Sequence, residues 1–256
     1  PRGIRQMAKL EIVYEDSALV AVNKPSGLAS IPGRGEKDSA LEQLARQLKL
    51  PMSGSEDPRI RVVHRLDKDT SGVLLFAKTI DAQRHLSHQF QNNWAVKEYL
   101  ALVIGRPAEE SGVIDAPIRP DKQRVGYMKV DKHGKRALTE WRVEETFRGL
   151  TLVRAMPKTG KTHQIRVHMQ HMGHPLAVDP LYGPTGEMYG QGIFLSRFKR
   201  NYRLGKWQEE KPLIARLTLH AQKLTVKLPD GKELSLEAKM PKDFAATLKM
   251  LRKYWR

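Results

Sequence analysis

The 256-residue chain contains no cysteine, which removes disulfides, thiolate nucleophiles and cysteine-based zinc sites from consideration. A protein without disulfides suits a reducing compartment, so a cytoplasmic setting is expected. No apolar run approaches the roughly 20 residues that a membrane-spanning helix needs, and no charged-then-apolar leader opens the chain, so no membrane partner is expected. Acidic residues are scarce beside basic ones. Asp and Glu number 28 against 45 Lys and Arg, a formal net charge of +17. Such an excess favours a polyanion, and nucleic acid is the commonest soluble one. Charge alone does not separate RNA from DNA, or an enzyme from a binder. A chain of this length buries enough surface to be stable without metal or crosslinks.

Residues 10–14 and 19–23 read as strands around the polar turn Glu15-Asp16-Ser17. Ser39 is placed to cap a helix running to about Leu50, with Leu41, Leu44, Ala45 and Leu48 at helical spacing. An extended piece at Arg61–His64 precedes the apolar strand Val73–Lys78, and Thr79 can cap a helix carrying Ala82, Leu86 and Phe90 on one face. Residues 96–104 read as a central strand, and 137–147 with 150–156 as a pair around Arg148-Gly149. A helix is expected from Thr162 to Gly173, followed by strands at 214–220, 223–228 and 233–238 and by a helix with Pro241 in its first turn. Strands outnumber helices and many are joined by turns, so the expected class is α+β with a mixed, mostly antiparallel sheet. The chain opens at Pro1 and not at methionine, so residues 1–9 are read as a tail of a trimmed piece. Met7 is one candidate start, and a missing N-terminal domain is the other. Residues 10–256 are read as one domain, and a monomer is expected.

Two segments are unusually basic. Residues 119–136 include Arg124, Lys129 and Lys132, and residues 197–206 include Arg197, Lys199 and Arg200. Both interleave Tyr or Phe with the cations, the pairing that holds phosphates and stacks bases. Each alone could be an ordinary solvated loop. Together with the net charge they point to RNA.

The segment His64-Arg65-Leu66-Asp67-Lys68-Asp69-Thr70-Ser71-Gly72 leads into the apolar run VLLFAKT. Taken alone it is a polar turn before a buried strand, with Asp67 capping its own loop. HRLDKDTSG nevertheless resembles the signature of the RluA-type pseudouridine synthases, and further blocks agree in order. These are VNKPSG (Val22–Gly27), TGKTHQIRVHMQHMGHP with VDPLYG (Thr159–Gly183), and RLTLHAQKL (Arg216–Leu224). The likeness spans about Leu10 to Phe244. It implies the pseudouridine synthase fold around a basic catalytic cleft and a reaction needing neither cofactor nor metal. The expected activity is isomerisation of specific uridines in structured ribosomal or transfer RNA, with the ribosome or its precursors as a candidate partner. The competing reading is an inactive RNA-binding or ribosome-assembly factor on the same fold.

By the same resemblance Asp67 is the catalytic carboxylate, Arg166 the arginine that pairs with it, and Tyr99 of KEYLALV the tyrosine lying against the base. Isomerisation breaks the bond from N1 to the ribose, turns the base and joins C5 to the same carbon. No atom is gained or lost, so a carboxylate acting as nucleophile or base suffices. The target must first be extruded from its stack, and Arg65 matches the residue that fills the vacated space. His64, Lys161 and His163 are expected to contact RNA.

Three other signals weigh less. Thr159-Gly160-Lys161-Thr162 suggests a phosphate loop, but that motif requires glycine where this chain has Ala155. His163, His168, His171 and His174 lack the partners of a zinc motif. Residues 184–212 are longer than the family usually carries there, and their basic, aromatic composition suggests an added RNA grip.

Overall fold

The computed structural model describes residues 9–255 except 34, 37, 184–191, 204, 206 and 207. The expectation for residues 1–8, and for 184–191, 204, 206 and 207 of the insertion, therefore lies outside the described residues.

The chain begins with a hairpin, β1 (Glu11–Glu15) and β2 (Leu19–Lys24), closed by Asp16. Its carboxylate accepts the Ala18 and Leu19 N–H groups, each at 2.7 Å, which turns the chain sharply. Helix α1 (Ala40–Leu48) follows, with Ser39 capping it as expected. Next come β3 (Arg61–Val62), the wholly buried β4 (Ser71–Ala77), and α2 (Ile80–Gln91) capped by Thr79. Then follow β5 (Val96–Ile104), β6 (Ser111–Asp115), the short β7 (Ile118–Pro120) and β8 (Met128–Val130), and the long pair β9 (Leu138–Phe147) and β10 (Leu150–Pro157). Helix α3 (Gln164–His171), a 3-10 turn at Leu195–Arg197, β11 (Leu219–Lys227), β12 (Glu233–Glu237) and α4 (Lys242–Tyr254) complete the described elements.

Ten strands form one sheet in the order β1-β2-β4-β11-β5-β10-β9-β6, with β12 added to β11 and β3 to β4. Every pairing in it is antiparallel except β11 with β4. The α+β class and the mostly antiparallel sheet thus stand. At the parallel junction Gly72 lies opposite Ala221 with a φ of +123°, and a Cβ there would overlap the Ala221 backbone. Only glycine lets β4 approach β11 this closely.

The two faces of β5 have different neighbours, as a period of two requires. Leu100 and Leu102 pack with Phe244 and Leu248 of α4 and with Ile193 and Phe198, while Ala101 and Val103 pack with Ile165 and Met169 of α3.

Three expectations need correction. The strands read at 214–220 and 223–228 are one strand beginning at Leu219, because the polar interruption at Gln222 is a bulge between Ala221 and Lys223 and not a turn. Helix α3 starts at Gln164 and not at Thr162, because His163 takes a left-handed φ of 56°. The basic segment 119–136 is not simply a loop, since β7 and β8 pair within it. Strands of three residues are too short to leave a readable alternation.

Candidate active site

Asp67 sits on a loop between β3 and β4 that is clamped by the chain following β2. Leu66 is buried, and its N–H and C=O both bond to the hydroxyl of buried Ser30, at 3.0 and 2.7 Å. Gly27 N–H and the Lys24 ammonium donate to the Lys68 carbonyl at 3.0 and 2.8 Å, and Ser26 Oγ donates to the Asp69 carbonyl at 2.7 Å. The fully buried Lys24 also donates to the carbonyls of Pro25 and Leu28. Burial pulls its pKa down to about 7, against the pull of Asp69 and Asp67. The VNKPSG block therefore acts as a backbone clamp for the loop that carries Asp67, a purpose that its composition does not reveal.

Arg166 projects from α3 toward this loop. One of its terminal nitrogens lies 3.6 Å from an Asp67 carboxylate oxygen, while Nε and the other terminal nitrogen form a fork with Asp179 at 2.8 and 2.7 Å. Asp179 is itself held by the Leu181 and Tyr182 N–H groups. Burial works against the Arg166 charge, but the Asp179 and Asp67 carboxylates outweigh it and hold its pKa above the ordinary value. A fixed cation thus faces Asp67 without being consumed by it. Asp179 escaped the sequence reading because an Asp before Pro looks like any turn residue.

Tyr99 and Lys97 lie two apart on β5, and both line the same cavity of about 470 Å³ as Asp67 and Arg166. Burial and then the Asp67 charge push the Tyr99 phenol well above its usual pKa, so it is protonated. Arg65 is exposed and also lines the cavity, as do Lys161 and His163. The residues expected at the centre come from three separate stretches of chain and meet.

His64 borders the cavity but its ring serves the fold. Nε2 accepts the Leu75 N–H at 2.9 Å, the ring stacks on Phe90 at 4.4 Å, and burial pulls its pKa down to about 3. It is a neutral histidine with one edge already used. His163 Nδ1 meets the Tyr182 hydroxyl at 2.7 Å. That hydroxyl accepts the Met128 N–H, so its own proton is free to go to His163. The Tyr182 ring lies 5.0 Å from the Arg166 guanidinium, which ties the β7–β8 hairpin to the centre. Two others of that cluster are separately employed: His168 is buried between Thr139 and the Ala116 carbonyl, and His174 bonds the Ile104 carbonyl. In the would-be phosphate loop, the Gln164 side chain bonds both Thr159 Oγ1 and the Lys161 N–H.

A profile of the RNA pseudouridylate synthase family matches residues 18–171. The chain belongs to that family of isomerases. It is 40% identical over 244 residues to a protein of Nitrosomonas europaea named ribosomal large subunit pseudouridine synthase D, covering 95% of this chain and 65% of that protein. It thus spans somewhat under two thirds of that relative's length. A protein of the same name from Pseudomonas aeruginosa is 39% identical over 251 residues, covering 97% of this chain and 74% of its own length. The solved structure of human RNA pseudouridylate synthase domain containing 4 superposes with a TM-score of 0.70 at 27% identity, covering 94% of this chain and 93% of that one.

The outer basic residues divide. Arg124, Lys129 and Lys132 belong to the β7–β8 hairpin and its ends. Arg124 and Lys129 both pair with Asp121, and Arg124 also lies 4.6 Å from the Tyr127 ring. Lys132 is exposed. Arg197 and Lys199 flank Phe198, which is buried on the face of β5 away from Tyr99. Arg197 lies over Phe194, and Lys199 near the Tyr202 and Tyr254 rings. Arg200 is exposed nearby. The described part of the insertion thus builds core on the far side of the sheet, a use hidden by its basic composition. Among the described residues no helix is long and apolar enough to cross a membrane.

Proposed function

We propose that this chain converts specific uridines of large-subunit ribosomal RNA to pseudouridine. The observation that carries the reading is the meeting of Asp67, Arg166 and Tyr99, from three parts of the chain, in one cleft with Arg65 at its edge. The ribosomal substrate is supported by the names of the bacterial relatives. That substrate agrees with a cytoplasmic site of action.

In this reading the target base leaves its stack and enters the cleft, and Arg65 takes its place, where a flat guanidinium can stack on the neighbours. Asp67 acts on the ribose side as nucleophile or base, oriented by Arg166. The bond from N1 to the ribose breaks, the base turns and C5 joins the same carbon; C5 then loses its proton and N1, now free of the ribose, takes one up, so that atoms balance. Tyr99 lies against the base. The Asp67 charge is one of the two causes that keep its phenol protonated. Placed against the base, Tyr99 is the group positioned to handle the C5 proton.

The test is pseudouridine mapping on large-subunit ribosomal RNA treated with wild type or Asp67→Asn. Product at defined positions from wild type alone is expected. RNA binding by both proteins with product from neither would favour the inactive RNA-binding factor.

A further inference from the structure

Lys97 has no part in the chemistry above, yet it stands beside it. It emerges from β5 on the same face as Tyr99 and lines the same cavity. Its ammonium donates to the Thr159 carbonyl at 3.3 Å, a long contact, and it pairs with no carboxylate among the described residues. Lys161, two residues beyond Thr159, lines the cavity as well, and its charge acts on Lys97. Burial first, and Lys161 second, pull the Lys97 pKa down to about 8. Asp67, which also lines the cavity, is faced by Arg166.

Two ammonium groups that line one partly buried wall, neither paired with a carboxylate among the described residues, repel one another. A merely structural lysine would more cheaply be an apolar residue. The arrangement makes physical sense if an anion completes it, and the anion that every RNA substrate brings is the backbone phosphate.

We propose that Lys97 and Lys161 form a phosphate site within the catalytic cleft, which holds a backbone phosphate next to the extruded uridine. The inference rests on the uridine-isomerising reading, and it deepens it by giving the cleft a means to hold the flipped nucleotide in place. A phosphate there sits beside Tyr99, so its position bears on how the base lies against the phenol.

The groups around Lys97 define the expected pH behaviour. The loop before β4 contributes Arg65, Asp67 and neutral His64. The loop before α3 contributes Lys161 and His163, and α3 contributes Arg166. The wall formed by α2 contributes the uncharged Ser87, Phe90 and Gln91, and β5 itself contributes the protonated Tyr99. A phosphate binds the charged form of Lys97, so affinity is full below about pH 8 and falls above it.

The experiment measures binding of fluorescein-labelled oligouridylate to Asp67→Asn protein across a salt series and across pH. Added Lys97→Met or Lys161→Met should each weaken binding about tenfold. Each should also make the slope of log affinity against log salt shallower by about 0.7, the value for one phosphate contact on a single strand. Lys97→Arg should keep the salt slope and lose the fall above pH 8. An unchanged slope in Lys97→Met overturns the proposal, whether or not affinity drops, because a structural role moves affinity alone. Pseudouridine formation by the otherwise wild-type protein is assayed separately. Absence of product with the slope change intact leaves the phosphate site standing and removes the isomerase reading.

Discussion

At Arg166 one side chain does two jobs with two carboxylates. Asp179 fixes the guanidinium through a buried fork, and the remaining nitrogen is left to face Asp67. Removing the Asp179 charge leaves a buried cation without its main partner, which costs about 3–5 kcal/mol in comparable cases. Asp179→Asn should therefore lower the denaturation midpoint sharply and also reduce turnover, as chemical unfolding and product formation would read out together. His220 makes a second prediction at this scale. Its ring is buried between Ser71 Oγ and the Ala238 carbonyl, and burial pulls its pKa down to about 4. Between pH 4 and 6.5 the unfolded chain binds a proton there that the folded chain does not, so stability falls as pH drops through that window. In His220→Gln the unfolding free energy should vary less steeply with pH, by up to about 1.4 kcal/mol per pH unit. Asp67, Arg166 and Tyr99 were singled out in the sequence because the family resemblance points to those positions, and the structure brings all three to one cleft. Asp179, Lys24 and Lys97 stand in the same quoted blocks yet were not singled out, since a turn aspartate and two lysines acquire their meaning only from what surrounds them.

Among elements, the loop before β4 is the one whose position matters most. It is held by Ser30 on one side and by Gly27, Lys24 and Ser26 on the other, and its downstream end enters the sheet where Gly72 meets Ala221. Gly72→Ala forces a Cβ into the Ala221 backbone at a φ that L residues rarely adopt. Loss of activity with a lowered melting temperature is expected, and a variant with wild-type stability and turnover would contradict this account of the junction. Helices α1 and α2 were legible from Ser39 and Thr79 because a capping hydroxyl is a local signal. The start of α3 was not. Thr162 looked like a cap, but His163 turns left-handed to reach Tyr182, a residue 19 positions away.

At the scale of the whole molecule, the +17 net charge implies RNA affinity that falls steeply with salt. Not every cation contributes equally. Arg124 and Lys129 are partly neutralised by Asp121, whereas Lys132 is exposed and carries no ion pair among the described residues. Lys132→Ala should therefore flatten the salt dependence of RNA binding more than Arg124→Ala does, as a filter-binding series would measure. Charge, strand count and motif order depend on residue type and near neighbours, and from them the sequence by itself determined the basic character, the α+β class, the family and the central carboxylate. Tertiary structure alone decided the rest. It joined Asp67 to Arg166 across about a hundred residues, assigned Asp179 and Lys24 to support them, brought Lys97 to the cleft wall, and put Phe198 of the insertion on the far side of the sheet. These outcomes follow from strand order and from which face each residue takes, and such long-range pairings leave no mark on the local pattern of a single chain.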